Sequence, residues 1–132
     1  MKKSDTATFS LGSVTREARI TRIVFDDSKT HDLGDARSLM DAIRKVVSRA
    51  DALPMLTDAR LTSVGPSKEA RTFYDGAENA GYATCSALLC ASAYQKILGN
   101  FAFMFTPHDM PTRIFTDEEA ALAWLEEHRS AQ

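Results

Sequence analysis

The stretch of residues 57–71, TDARLTSVGPSKEAR, holds the side chains that are best placed to do chemistry. The carboxylate of Asp58 follows an apolar run, and the hydroxyls of Ser63 and Ser67 lie close to a Gly-Pro pair. Gly-Pro is typical of a helix start, which predicts the proline at the first helical position and Ser67 in the first turn. The serines therefore predict either a cap for free backbone N–H groups or, because such groups favour an anion, a phosphate or partner site.

The common catalytic motifs are missing from the sequence. There is no G-x-S-x-G nucleophile elbow, no G-x-G-x-x-G fingerprint and no P-loop. His31, His108 and His128 lie far apart, so no metal site is predicted, and no two carboxylates have a spacing suited to acid–base catalysis. We expect no catalytic residue, no cofactor and no metal, and we interpret the protein as non-enzymatic.

Length and charge are those of one soluble domain. The 132 residues are 44% hydrophobic, enough for a single core, and we expect an ordered domain over about 6–128. Sixteen basic and eighteen acidic residues nearly cancel, which argues against a nucleic-acid partner. No apolar run reaches the roughly 18 residues of a membrane span, and no signal peptide follows the N-terminal lysines, so stable membrane insertion is not expected.

The two cysteines, Cys85 and Cys90, lie in one strand-like run. Their odd spacing puts them on opposite faces of a strand, where they cannot pair with each other. Two unpaired thiols favour a reducing, cytoplasmic compartment.

Hydrophobic periodicity predicts an α/β fold in which strands and helices alternate. We predict five strands near 7–11, 18–25, 53–56, 82–91 and 112–115, with Gly12-Ser13 as the first turn, and four helices at 36–50, 66–77, 92–105 and 117–128. Asp32 is the predicted cap of the first helix, and Thr116 with Glu119 forms a predicted capping box for the last. Right-handed crossovers then give a mostly parallel five-stranded sheet with an antiparallel edge strand.

The segment ILGNFAFMF (97–105) is unusually apolar. Its large side chains cannot all face one side of a helix; they are Ile97, Phe101, Phe103, Met104 and Phe105. They predict either ordinary core packing or an apolar surface for a second subunit or a lipid-like ligand.

Three segments, 53–71, 97–105 and 111–125, resemble the STAS superfamily, and the chain is most similar to small bacterial SpoIIAA-like (STAS/SEC14-type) proteins over roughly 6–128. In the anti-sigma-factor antagonists of this superfamily, a strand ending in Asp leads to a phosphoacceptor serine at a helix start. The resemblance places these roles on Asp58 and Ser67. This chain departs from that pattern, because Pro66 precedes the serine and Lys68-Glu69 follows it.

The resemblance implies a regulatory binding module that acts through contacts with a protein partner or with a second copy of itself. Two alternatives stay open: a carrier or sensor of an apolar, lipid-like small molecule, and a phosphorylatable anti-sigma-factor antagonist. A carrier predicts an apolar cavity near Ile97, Phe101 and Met104, whereas a protein-binding module predicts a filled core and an exposed apolar patch.

Overall fold

The computed structural model describes residues 4–27, 29–62, 64–92 and 110–129. Within these ranges it has six strands and three α-helices. The strands are β1 (Thr6–Phe9), β2 (Gly12–Arg16), β3 (Thr21–Phe25), β4 (Leu53–Asp58), β5 (Ala83–Leu89) and β6 (Thr112–Phe115). The helices are α1 (Leu33–Val46), α2 (Lys68–Tyr74) and α3 (Glu118–His128). The predicted helix 92–105 lies, apart from Ser92, outside the described residues.

All six strands form one sheet in the order β1-β2-β3-β4-β5-β6. The first two pairings are antiparallel hairpins, and the three pairings from β3 to β6 are parallel. The α/β class and the parallel arrangement of β3 to β6 are confirmed, because the helical crossovers between β3, β4 and β5 leave those strands pointing the same way. The sheet as a whole is mixed, since β2 runs antiparallel to both of its neighbours.

The predicted strand count of five was wrong, because the predicted turn at Gly12-Ser13 is part of β2. Gly12 pairs with Phe9 on one side and with Phe25 on the other. A Cβ atom at Gly12 would lie 1.8 Å from the carbonyl oxygen of Val24. Gly12 thus serves the close approach of β3 and not the turn, which lies at Ser10-Leu11.

A bulge in β5 faces the proline of β4. Leu53 pairs with Ala83 and Met55 pairs with Ser86, so Thr84 and Cys85 lie opposite the single residue Pro54. Proline has no N–H to donate to a ladder, and an extra residue on the partner strand accommodates that gap.

The helix starts are fixed by carboxylates and one hydroxyl. Asp32 and Asp35 form a reciprocal capping box on α1, with N–H···O distances of 2.9 and 3.0 Å, which confirms the predicted cap. The predicted Thr116 box on α3 was wrong. Asp117 caps that helix by accepting from the Ala120 N–H at 2.9 Å, since the helix begins one residue later than predicted.

The two faces of the sheet bury separate clusters. Helices α1 and α2 cover one face, with a core that includes Val14, Ile23, Phe25, Leu39, Met40, Ile43 and Tyr74. Helix α3 covers β4 and β5 on the other face, with a core that includes Leu56, Cys85, Ala87, Leu89, Ala121 and Leu125. Cys90 belongs to a third cluster, so the prediction that the two cysteines face opposite ways is confirmed. No helix in the described ranges is long and apolar enough to cross a bilayer.

Candidate functional site

Asp58, the predicted strand-end acid, is the last residue of β4 and is held by Arg60. The Arg60 guanidinium donates to both carboxylate oxygens, at 3.0 and 2.7 Å, and its backbone N–H donates at 3.1 Å. Burial raises the pKa of Asp58, but the hydrogen bonds and charge of Arg60 outweigh burial, so the pKa lies below its usual value. A carboxylate with so low a basicity is poorly suited to act as a general base.

The same arginine extends this interaction to helix α3. Arg60 lies 3.2 Å from Glu118 in the first turn of α3, and Arg22 of β3 lies 3.5 Å from the same carboxylate. Arg22 also pairs with Glu17 at 2.7 Å. Each charge in this network has an opposite charge beside it. We therefore interpret the Asp58 region as an ion-pair network that fixes the start of α3 to the sheet.

Ser67, the predicted phosphoacceptor, is the N-cap of α2. Its hydroxyl accepts from the Ala70 N–H at 3.1 Å, and its own N–H donates to the His31 carbonyl at 2.9 Å. The predicted helix start was wrong by two residues, because the first helical residue is Lys68 and not Pro66. Ser67 and Asp58 have separate sets of partners. Ser63 lies outside the described residues, and phosphorylation of Ser67 stays a prediction.

The predicted apolar surface lies outside the described residues in full; its members are Ile97, Phe101, Phe103, Met104 and Phe105. Met110, the first described residue after that segment, is half-buried and lines a pocket between α1 and the sheet. This pocket is the strongest candidate for a functional site in the part of the chain that the structure describes.

The pocket is a partly open cavity of about 80 Å³. Strands β3, β4 and β5 form its floor, α1 forms one wall, and Tyr74 of α2 and the segment 79–82 form another. Its lining residues are Ile23, Phe25, Leu39, Met40, Ile43, Met55, Thr57, Tyr74, Asn79, Gly81, Tyr82, Ala83, Ser86 and Met110. Most of these side chains are aliphatic, aromatic or thioether groups, so the pocket is suited to an apolar ligand.

Two polar side chains of the pocket lining, Tyr74 and Asn79, are hydrogen-bonded to other parts of the protein. The Tyr74 hydroxyl lies 2.6 Å from Nε2 of the buried His31. Burial, and to a smaller degree the charge of Asp35, raises the pKa of Tyr74. Burial lowers the pKa of His31, and nearby Asp35 and Asp32 oppose that shift only in part. Asn79 donates to the Phe73 carbonyl at 2.6 Å. The site can thus bind an apolar group, and we find no activated nucleophile among its lining residues.

Sequence reasoning missed this pocket, although it identified many of its walls. Leu39, Met40 and Ile43 are on the predicted apolar face of α1, and Met55 lies in a predicted strand. In the sequence, each of them has the pattern of an ordinary core residue.

A cluster of three or more potential metal ligands is also absent from the residues described here.

A family model described as "Domain of unknown function (DUF7793)" matches residues 14–129. Among solved structures, the chain is similar to an uncharacterized protein of the DUF3478 family with a SpoIIAA-like fold, from Shewanella loihica PV-4. The two are 16% identical, with a TM-score of 0.57 over 95% of this chain and 98% of the other. No curated protein matches the chain significantly.

The chain is also 24% identical to a protein of unknown function from Arthrobacter sp. FB24, over 86% of this chain and 97% of that one. The TM-score of 0.33 for this pair is too low to support an argument. The likeness to the Shewanella protein confirms the predicted SpoIIAA-like fold. At 16% identity it shows the fold alone.

Proposed function

The chain belongs to the family described as Domain of unknown function (DUF7793), and from this starting point we propose that it is a non-enzymatic binding module of the SpoIIAA-like type. Its ligand in this proposal is an apolar small molecule held between α1 and the sheet. The observation that supports the proposal is the apolar pocket lined by Met40, Met55 and Tyr82.

The size of the pocket limits the ligand. An engineered apolar cavity of roughly 150 Å³ binds benzene, so a partly open pocket of about 80 Å³ suits a short chain or part of a ring. The two methionines give the walls flexible, polarizable side chains that adapt to different shapes. Filling the pocket restores the dispersion contacts that its lining side chains lack when it is empty.

A non-enzymatic role is supported by how the candidate catalytic groups are used. Asp58 is paired with Arg60, and Ser67 caps a helix. The buried Cys85 has a raised pKa, chiefly because of its burial, which disfavours the reactive thiolate.

Titration with 1-hexanol, followed by methyl resonances in ¹H–¹³C spectra, tests the proposal. We expect shifts at Ile23, Met40 and Met55, because their side chains line the pocket. Ala83→Leu should abolish these shifts by filling the pocket, while its circular dichroism spectrum stays unchanged. Ala120→Leu adds the same side chain at an exposed position of α3 and is the matched control. Unshifted methyl groups in the wild type, or equal shifts in Ala83→Leu, would contradict the proposal.

Native mass spectrometry of the protein isolated from its own cells addresses the natural ligand. An extra mass that is lost on denaturation supports a bound small molecule. A clean mass equal to that of the chain, before and after denaturation, counts against one.

A second candidate function is protein binding through the loop after β4. Leu61 is 64% exposed, and among the described residues no other large hydrophobic side chain is exposed. A single leucine is a small feature, so this candidate ranks below the pocket. Sedimentation velocity of the wild type and Leu61→Ser tests it for self-association. A dimer that Leu61→Ser dissociates supports the candidate, and a monomer at all concentrations counts against a second copy as the partner.

A further inference from the structure

Two arginines lie against the segment that forms one wall of the pocket. We call residues 78–82 the rim loop; three of its members, Asn79, Gly81 and Tyr82, line the pocket. Arg49 donates to two rim-loop carbonyls, that of Ala80 at 2.8 Å and that of Glu78 at 2.6 Å. The guanidinium of Arg49 is thus fixed against the rim loop, although Arg49 itself is not among the lining residues.

Arg44 of α1 approaches the rim loop from the other side. It donates to the Asn79 side-chain oxygen at 2.7 Å and to the Tyr82 hydroxyl at 3.3 Å. The guanidinium carbons of Arg44 and Arg49 lie 5.6 and 4.8 Å from the centre of the Tyr82 ring. Both cations therefore lie on the same pocket-lining side chain.

Gly81 allows this close arrangement. Its φ angle is +90°, a conformation that favours glycine. A Cβ atom there would lie 3.4 Å from the side-chain carbons of Arg49, so the stem of the arginine packs directly on the rim loop. The position of the charge is thereby set by the backbone of the pocket wall.

The charge of Arg49 is not balanced in the part of the chain that the structure describes. Arg44 has Asp41 at 3.6 Å, whereas Arg49 has no carboxylate within 4.0 Å among the described residues. Its two hydrogen bonds go to carbonyls and use two of the five N–H groups of a guanidinium. The pocket thus has an apolar interior, and a cation lies against the loop that forms one of its walls.

We propose that the ligand of this pocket is a small amphipathic carboxylate, with its apolar body between α1 and the sheet and its carboxylate at Arg49. This inference rests on the proposed apolar-ligand function and specifies the chemical class of the ligand. A guanidinium presents N–H groups in a fork that matches the two oxygens of a carboxylate. The apolar body is a short chain or part of a ring, because the cavity is about 80 Å³.

Matched six-carbon probes test this inference by isothermal titration: hexanoate, 1-hexanol and hexylammonium. They share the apolar body and differ in the charge of the head group. We expect hexanoate to bind about tenfold more tightly than 1-hexanol, and hexylammonium to bind most weakly. Arg49→Gln should remove the preference for hexanoate, so that hexanoate and 1-hexanol then bind with about equal affinity. Arg49→Lys should retain part of the preference, because it keeps the charge and loses the fork.

Arg37→Gln is the matched control, since Arg37 is an exposed arginine on α1 that lies over Phe73 and not over the rim loop. Equal affinities for hexanoate and 1-hexanol in the wild type would overturn this inference and leave the proposed function standing. An equal loss of both affinities in Arg49→Gln would also overturn it, since Arg49 would then only support the rim loop. Failure of all three probes to bind would overturn both proposals.

Discussion

The two faces of the sheet are covered in different ways. On the α3 face, Leu56, Leu89 and Leu125 have no exposed surface and belong to one cluster. On the α1 face, Met40 and Met55 border a cavity of about 80 Å³. Protein interiors are normally packed as densely as organic crystals, so the cavity on the α1 face is an exception to the usual packing. The comparison indicates that the α3 face mainly stabilises the fold, whereas the α1 face has room for a ligand.

The polar groups on the two faces of the sheet also have different kinds of partner. At the start of α3, Asp58, Arg60 and Glu118 neutralise one another through ion pairs. Beside the pocket, His31 and Tyr74 form a neutral buried pair. The ion pairs at α3 hold that helix to the sheet, whereas the arginines nearest the pocket, Arg44 and Arg49, donate to neutral oxygens of residues 78–82. The arrangement of partners therefore separates the two faces better than residue type does.

The largest expected effect comes from truncating a core side chain on the α3 face. Leu125→Ala should lower the free energy of unfolding by about 2–5 kcal/mol, because it leaves a cavity under α3. Met40→Ala, on the pocket face, should cost less, since the Met40 side chain already borders open space. Urea unfolding of both variants measures the difference. Equal costs would show that the two faces are packed alike.

Enlarging a side chain tests the same comparison in the opposite direction. Ala83 and Ala87 lie on one strand, and only Ala83 lines the pocket. Ala87 lies on the α3 face and has no exposed surface, so Ala87→Leu should lower the free energy of unfolding by roughly 1–3 kcal/mol through overpacking. Ala83→Leu should cost less, because the added atoms enter the pocket. A larger loss for Ala83→Leu in urea unfolding would mean that the pocket has no room for them.

Much of the fold was predictable because its signals are local. The 3.6-residue period and the Asp32 cap predict α1 from a few neighbouring residues. The errors have non-local causes. Gly12 reads as a turn in the sequence, yet its role depends on the backbone of β3 lying against it. The bulge opposite Pro54 depends on a strand that comes about thirty residues later in the chain, a pairing that local propensity does not contain.

The candidate site was less predictable than the fold. Asp58 was identified at a strand end, but its interpretation depends on Glu118, which lies in another helix. The pocket is lined by residues of β3, α1, β4, α2 and β5. Each residue follows the rule for a core position, and the unfilled volume arises only from how the elements pack. The charge at the rim loop likewise depends on Arg49 meeting carbonyls about thirty residues later.

The next effect in size concerns the two helix caps, one on each face. Ser67→Ala and Asp117→Ala each remove a side-chain oxygen that accepts an N–H at the helix start, and each should cost about 1 kcal/mol. Only Ser67→Ala should also weaken 1-hexanol binding, because α2 carries Tyr74 of the pocket wall. Urea unfolding and hexanol titration give the two readouts. Equal loss of hexanol affinity in both variants would contradict the separation of the faces.

The smallest expected effect is a pH dependence that belongs to the pocket face. Burial lowers the pKa of His31 below its ordinary value of 6.5, and the charges of Asp35 and Asp32 reduce that shift. In the unfolded chain His31 regains its ordinary pKa, so below pH 6.5 the unfolded state binds more protons than the folded state. The stabilisation is therefore complete above pH 6.5 and is lost as the pH falls towards the lower pKa of the folded state.

His31→Gln isolates this contribution, because glutamine keeps a polar group near the Tyr74 hydroxyl and does not titrate. The stability difference between wild type and His31→Gln in urea unfolding should shrink from pH 7.5 to pH 5.5. The contribution of Asp58 does not change in this window, because its lowered pKa makes that contribution complete above its ordinary pKa of 3.8 and lost only at lower pH. A difference that stays constant with pH would mean that the folded protein accommodates protonated His31 as readily as water does, and the pocket face would then not be the low-dielectric side of the sheet.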